Sequence, residues 1–274
     1  MKAFLTHSRI DDSRVKCTLT ALCLSLVLSA CASTPTDSSE ARLLKLADDI
    51  DQRGDHATAA AMYQRALAQN GASPDIQIRL GNARLAAGEP AAAAEAFRAA
   101  LSDDIDLAPA LLGLGTAQLR LGEPESALRS LSRAAPDVDS VAGWSRLGAA
   151  QALVGRPSQA VEAFSRARAL APRDLDVLAN LALAESLAGD HAEAIAAMRQ
   201  ITDSPLAEAR HYRNLILVLV LAGQTDQARR IEIPDLAIAK RESLIASAER
   251  LAALPGAAER AQALGMAMAS FNEP

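Results

Sequence analysis

The stretch that decides the fold runs from Val141 to Asp174 and reads VAGWSRLGAAQALVGRPSQAVEAFSRARALAPRD. Two apolar, alanine-rich segments flank a turn formed by Gly155, Arg156 and Pro157. Glycine ends a helix at low cost because it accepts the left-handed conformation, and proline is favoured in the first turn of the next helix. The stretch therefore predicts two antiparallel helices joined by a tight turn.

The same pattern recurs along the chain. Glycines separated by 34, 34, 33, 34 and 34 residues occur at Gly54, Gly88, Gly122, Gly155, Gly189 and Gly223. Five residues after each glycine comes an alanine, and nine residues after the first five glycines comes a bulky side chain, at Tyr63, Phe97, Leu131, Phe164 and Met198. In the last copy this position holds Glu232. One helical hairpin cannot bury its apolar face alone, so the repeat predicts hairpins stacked into a solenoid.

These residues resemble the tetratricopeptide repeat family, and the best copy matches its signature at Trp144, Leu147, Gly148, Gly155, Ala160, Phe164, Ala167 and Pro172. The resemblance implies an all-α solenoid of about six repeats over residues 40–235. The repeats are expected at about 40–73, 74–107, 108–140, 141–174, 175–208 and 209–235. The composition agrees, because half of the residues are hydrophobic, only 3% are aromatic, and alanine is a strong helix former.

Residues 236–274 predict a capping helix and a tail. The segment Leu215–Ala222 is apolar all round, so its helix needs cover on both sides. The amphipathic stretch ending near Leu254 can supply that cover and the polar outer face that a solenoid end requires. Pro255 and Gly256 end this helix, and the tail beyond them is predicted to be short and weakly helical.

Residues 1–30 have the layout of a secretory signal peptide. A basic stretch ends at Lys16, and the apolar run that follows it is too short to span a bilayer. The run ends in Leu-Ser-Ala30-Cys31, which resembles the lipobox of bacterial lipoproteins. That resemblance implies cleavage between Ala30 and Cys31 and lipidation of Cys31. The alternative is a plain signal peptide with Cys31 as an incidental thiol.

Two further expectations concern the N-terminal part of the chain. Residues 31–39 are rich in serine and threonine and predict a flexible tether. By resemblance to proteobacterial lipoproteins, Ala32 after the cysteine implies sorting to the outer membrane, with the solenoid on the periplasmic face. Because Asp11 and Asp12 interrupt the basic region, translation starting near Val15 is an open hypothesis.

The sequence gives no support for catalysis. It contains no phosphate-binding loop, dinucleotide fingerprint, zinc-protease motif or nucleophile elbow. Cys17 and Cys23 lie in the signal peptide and Cys31 is the expected lipid site, so no disulfide is expected. A net charge of −5 without basic runs is a poor match for nucleic acid. We therefore expect protein partners, with no cofactor, no metal and no small-molecule substrate.

Tetratricopeptide repeat proteins hold their partners in a groove lined by the first helix of each repeat. Mapped on this sequence, that resemblance implies candidate groove residues at Asn82, Thr116, Leu183, Leu187, Arg210, Arg213 and Leu217. The later part of this set is apolar and flanked by arginines, which predicts binding of an amphipathic helix or an extended peptide. The alternative is that the capping helix or neighbouring repeats cover these side chains.

One segment of the sequence resembles a particular subgroup of tetratricopeptide repeat proteins. The segment His211–Gly223 reads HYRNLILVLVLAG and resembles the last repeat of TadD-type proteins, which are tetratricopeptide repeat lipoproteins of the tight-adherence (Flp, type IVb) pilus system. The resemblance implies a pilotin-like scaffold that helps the pilus secretin insert or assemble. The alternative is an adaptor that docks a periplasmic protease or peptidoglycan enzyme to the outer membrane.

Overall fold

A computed structural model describes residues 36–233 and 238–271. The predicted signal peptide, its cleavage site, Cys31 and the first residues of the tether lie outside these ranges. The chain divides into two compact units, residues 1–46 and 47–274. The described part of the first unit, residues 36–46, is the beginning of the first helix.

The described residues contain fourteen helices and no strand, which confirms the all-α prediction. In chain order they are α1 (Thr36–Gln52), α2 (His56–Asn70), α3 (Pro74–Ala86), α4 (Pro90–Ala100), α5 (Ala108–Arg120), α6 (Pro124–Val138), α7 (Val141–Leu153), α8 (Pro157–Leu170), α9 (Leu175–Ala188), α10 (His191–Thr202), α11 (Ala209–Leu221), α12 (Thr225–Ala228), α13 (Ile238–Ala252) and α14 (Ala257–Phe271). Helix α1 begins at Thr36, so the last four residues of the predicted tether are helical. Glu40 near the start of this helix favours helix formation because a negative charge there complements the helix dipole.

Each repeat is a hairpin of a first and a second helix, as the sequence predicts. All six turn glycines have φ between +73° and +102°, which is the left-handed region. Pro90, Pro124 and Pro157 begin second helices, where their missing N–H leaves no bond unmade. Adjacent helices then pack against each other along the chain, from α3 through α11.

The two helices of a hairpin approach closely because a glycine of the first faces the bulky residue of the second. A Cβ added to Gly81 would lie 2.6 Å from Phe97 Cζ, and one added to Gly148 would lie 2.8 Å from Phe164 Cδ2. Phe97 also faces Gly113 in the next repeat, where an added Cβ would lie 2.2 Å from its ring. The bulky and small positions of the repeat therefore interlock, within one hairpin and between neighbours.

A polar cluster joins the first two repeats. Tyr63 donates its hydroxyl hydrogen to Asp48 Oδ1 at 2.6 Å, and Arg79 donates to both oxygens of Asp48 at 2.8 and 2.7 Å. Partial burial alone would raise the pKa of Asp48, but the hydrogen bonds from Tyr63 and Arg79 outweigh it and hold that pKa below its ordinary value. Burial and the neighbouring carboxylate raise the pKa of Tyr63.

The C-terminal end of the solenoid contains its largest apolar cluster. Helix α11 is buried on all sides, with every residue from Leu215 to Val220 at most 4% exposed. Helix α13 covers it with Leu244, Ile245 and Ala248, which confirms the predicted capping helix. The second helix of the sixth repeat is only four residues long, so α13 takes its place against α11.

The tail differs from its prediction as a short and weakly helical segment. Residues Ala257–Phe271 form α14, a helix of 15 residues that contacts α7, α9 and α13. An isolated helix of this length is only marginally stable in water, so its contacts with α7, α9 and α13 supply the stability that its sequence alone does not. No helix in the described ranges is both long and apolar enough to cross a bilayer.

Candidate protein-binding site

The first helices of successive repeats contact one another and form a continuous surface, which we call the A face: α3, α5, α7, α9 and α11. This face is continuous along the solenoid because the turn glycines end each first helix at the same position of the repeat. The predicted groove residues all lie on A-face helices, but the structure divides them into five environments.

Two of the predicted residues stand apart from the others. Asn82 in α3 is exposed. Thr116 in α5 is 8% exposed and its hydroxyl donates to the carbonyl oxygen of Leu112 at 2.7 Å, so it satisfies its own helix. Neither residue is among those that line the apolar cleft of Leu183 and Leu187.

Leu183 and Leu187 of α9 come together in an apolar cleft. The cleft has a volume of about 200 Å³ and lies between α7, α9 and α14. Its lining is Ala149, Ala152, Leu153, Phe164, Asn180, Leu183, Ala184, Leu187, Ala261 and Leu264. We call this space the repeat 4–5 cleft.

Leu217 is 1% exposed inside the cluster that α13 closes, together with Leu244 and Ile245. It cannot touch a partner while α13 is in place, so at this position the covered alternative describes the structure. The apolar side chain of Leu217 belongs to the core beneath the capping helix α13.

Arg210 and Arg213 flank the start of α11. Arg210 Nε donates to Asp176 Oδ1 at 2.7 Å, and a second nitrogen donates to Asp176 Oδ2 at 3.0 Å. Arg210 also pairs with Glu208, and Arg213 is half-buried. The positive charge of Arg210 is therefore compensated on the protein itself.

His211 completes this polar cluster. Its Nδ1 accepts the backbone N–H of Glu208 at 2.9 Å and closes a capping box at the start of α11. Its Nε2 lies 3.2 Å from Asp176 Oδ1 and donates to it, a tautomer assigned from the bonding pattern. The cluster fixes the sixth repeat on the fifth.

The pKa of Asp176 predicts an acid-sensitive contact. The Arg210 hydrogen bonds lower that pKa, against an opposing effect of partial burial. A carboxylate with a lowered folded-state pKa stabilises above its unfolded value, near pH 4, and the stabilisation is lost as the pH falls through the folded value. We expect Asp176→Asn to lower the urea midpoint at pH 7 and to flatten its decline between about pH 4 and pH 2. Equal acid slopes in both proteins would contradict this assignment, and Asp226→Asn, at an exposed ion pair, is the matched control.

Burial also shifts the pKa of two other side chains on A-face helices. Burial raises the pKa of Glu185, and Asp190 and Glu193 add to the effect while Arg168 opposes it. Burial, with help from Arg120, lowers the pKa of Arg146. In the part of the chain that the structure describes, no three His, Cys, Asp or Glu side chains are grouped to hold a metal ion.

Sequence reasoning missed the side chains that complete the repeat 4–5 cleft. Ala152, Asn180, Ala261 and Leu264 line it alongside the predicted leucines. The spacing of Ala258, Ala261 and Leu264 is helical, but in a chain so rich in alanine it gave no clear signal.

The tetratricopeptide repeat family model matches residues 44–110, 78–143, 112–174 and 146–208, which together cover more than half of the chain. The chain belongs to the tetratricopeptide repeat family. The matches end at residue 208, and the sixth repeat beyond them is defined by α11, α12 and the cap. As a tetratricopeptide repeat protein the chain is a scaffold for protein–protein interaction.

Solved structures share this fold at low sequence identity. PilF of Pseudomonas aeruginosa has 21% identity and a TM-score of 0.59, over 72% of this chain and 90% of that one. YrrB, described as a repeat protein of this family with an unusual peptide-binding site, has 18% identity and a TM-score of 0.54, over 66% and 97%. A MamA protein has 20% identity and a TM-score of 0.52, over 60% and 97%. No curated protein matches the chain.

Proposed function

We propose that this protein is a lipid-anchored scaffold on the periplasmic face of the outer membrane that assists assembly of a tight-adherence (Flp, type IVb) pilus, in a pilotin-like role for the secretin. The observation that carries the proposal is the His211–Gly223 block at the end of a repeat array that follows a lipobox-like segment. The resemblance of this block to TadD-type proteins is the feature that separates the pilus role from other repeat scaffolds.

The structural role of the block supports its use as a signature. His211 caps α11 and binds Asp176 of the previous repeat, and the apolar run after it is fully enclosed by α9, α10 and α13. The block is thus the closing element of the solenoid. Contacts on every side constrain the sequence of this block, whereas a partly exposed repeat has positions that no contact constrains.

The proposed mechanism is mechanical. The lipid on Cys31 holds the solenoid at the membrane, because several acyl chains together make attachment stable. The A face holds a segment of the partner. Tethering raises the effective concentration of that segment at its insertion site without new contacts.

Replacement of the lipidation site tests the proposal. We expect Cys31→Ser to remove the protein from the outer membrane and to abolish the detergent-resistant secretin multimer, as deletion of the whole gene should. Cys23→Ser is the matched control, because Cys23 lies in the expected signal peptide and its loss should leave both anchoring and multimer unchanged. The measurements are membrane fractionation and the amount of multimer on gels.

An unchanged multimer in the deletion strain would reject the pilus role. The adaptor alternative would then be tested by asking whether a periplasmic protease or peptidoglycan enzyme leaves the membrane fraction in the Cys31→Ser strain. If Cys31→Ser stays anchored, the lipoprotein assignment itself is wrong.

A further inference from the structure

Helix α14 occupies the A face of the fourth and fifth repeats. It contacts their first helices, α7 and α9. Ala258 lies against the turn glycine Gly155, where an added Cβ would come within 3.2 Å of Ala258 Cβ. Gln262 Nε2 donates to the carbonyl oxygen of Leu153 at 3.4 Å. A segment of the chain itself therefore sits where a partner of the scaffold would bind.

The seated helix shows what chemistry this surface accepts. Its residues three apart face inward: Ala258 is half-buried, Ala261 is 5% exposed, and Leu264 lines the repeat 4–5 cleft. The polar residues between them, Glu259 and Gln262, are exposed. This is the arrangement of an amphipathic helix that presents its apolar face to a groove.

The fit of α14 is incomplete. Small alanine side chains leave the repeat 4–5 cleft open, with about 200 Å³ between α14 and the apolar walls that include Phe164 and Leu187. Arg260 adds a cost, because its Nε is buried without a hydrogen-bond partner. A bulkier side chain at the position of Ala261, next to Leu264, would fill this space and gain contacts that α14 does not make.

The attachment of α14 also allows it to leave. Pro255 and Gly256 separate it from α13, and α13 is held by its own contacts with α11 through Leu244 and Ile245. Release of α14 removes the contact that Leu264 makes with this apolar cluster but leaves the contacts between α13 and α11 in place.

We propose that the repeat 4–5 cleft receives an amphipathic helix of a protein partner with bulky aliphatic side chains three residues apart, and that α14 is a resident helix that this partner displaces. The inference rests on the proposed protein-binding role of the A face and names the partner chemistry at one place on it. The cleft then binds weakly while α14 is seated and strongly once it is released.

The test measures binding of a labelled peptide to the full-length protein in detergent. The peptide has the sequence of residues 257–271 with leucine at the alanine position that lines the cleft, Ala261, three residues before Leu264. Fluorescence anisotropy compares the wild type with Ala261→Asp, which places a charge in the apolar contact and should release α14. Loss of hydrogen-exchange protection at residues 257–264 verifies that release.

We expect Ala261→Asp to bind the peptide at least tenfold more tightly than the wild type. Adding Asn180→Trp, an exposed cleft-lining position, should fill the cleft and weaken binding at least tenfold. Adding Asn82→Trp instead is the matched control, because Asn82 is also an exposed asparagine of the A face but lies outside the cleft, and it should leave affinity unchanged.

Equal affinity of the wild type and the released variant would show that α14 does not compete and would overturn the inference. So would released protein that does not bind the peptide, or binding that Asn180→Trp leaves intact. None of these results depends on Cys31 or on the secretin. A lost secretin multimer in Cys31→Ser together with no peptide binding would keep the proposed function and reject the cleft.

Discussion

Phe97→Ala is expected to destabilise the solenoid by about 3–5 kcal/mol, because a fully buried aromatic ring is replaced by a cavity. The ring lies between Gly81 and Gly113, which have no side chains to move into the space, so the upper part of that range applies. The measurement is urea unfolding followed by circular dichroism. Ile105→Ala, at a side chain 66% exposed, is the matched truncation and should change stability by less than about 0.5 kcal/mol.

A second substitution tests the interlocking directly. Gly113→Ala should destabilise the wild type, because its Cβ would meet the Phe97 ring at 2.2 Å. In the Phe97→Ala background the same change should be neutral or stabilising, since alanine is a better helix former than glycine by up to about 1 kcal/mol. The sign of the effect therefore reverses. Additive effects in the two backgrounds would contradict the close contact between Gly113 and the Phe97 ring.

Ile245→Asp is expected to detach the cap. The side chain is 1% exposed against α11, and an unpaired carboxylate cannot remain there without a cost of several kcal/mol. Release of α13 relieves that cost and exposes the apolar surface of α11, which promotes self-association. We expect hydrogen-exchange protection across residues 240–252 to fall more than tenfold, and light scattering to show oligomers.

Ser243→Asp is the control for this change, because Ser243 lies on the exposed side of the same helix. It should leave both protection and the monomer unchanged. A monomeric Ile245→Asp protein with normal protection would mean that α13 does not close the solenoid.

The positions that the repeat register predicts are those fixed by local geometry. Gly88 and Gly155 end their first helices in the left-handed region, as the sequence pattern indicates, and Phe164 packs on Gly148. These features need only two adjacent helices and a turn, and each copy repeats the same requirement. These recurring features identify the family.

The predicted groove residues show what the repeat register does not determine, which is whether a side chain faces a partner or another part of the chain. The register predicts groove positions for Leu183, Leu187 and Leu217, and the structure puts the first two in a cleft and the third under the cap. Arg210, expected at the rim, is paired with Asp176 one repeat earlier. An apolar or charged residue at a given register position looks the same in sequence whether it faces a partner or another part of the chain.

The sequence by itself determined the repeat, the hairpin, the spacing of the small and bulky positions, and the need for a cap, because each depends on contacts within or between neighbouring units of fixed spacing. Only the tertiary structure decided that α14 folds back onto α7 and α9, and so which part of the A face is open. That outcome depends on contacts between residues about 100 positions apart, such as Gln262 with Leu153, and no local periodicity encodes them.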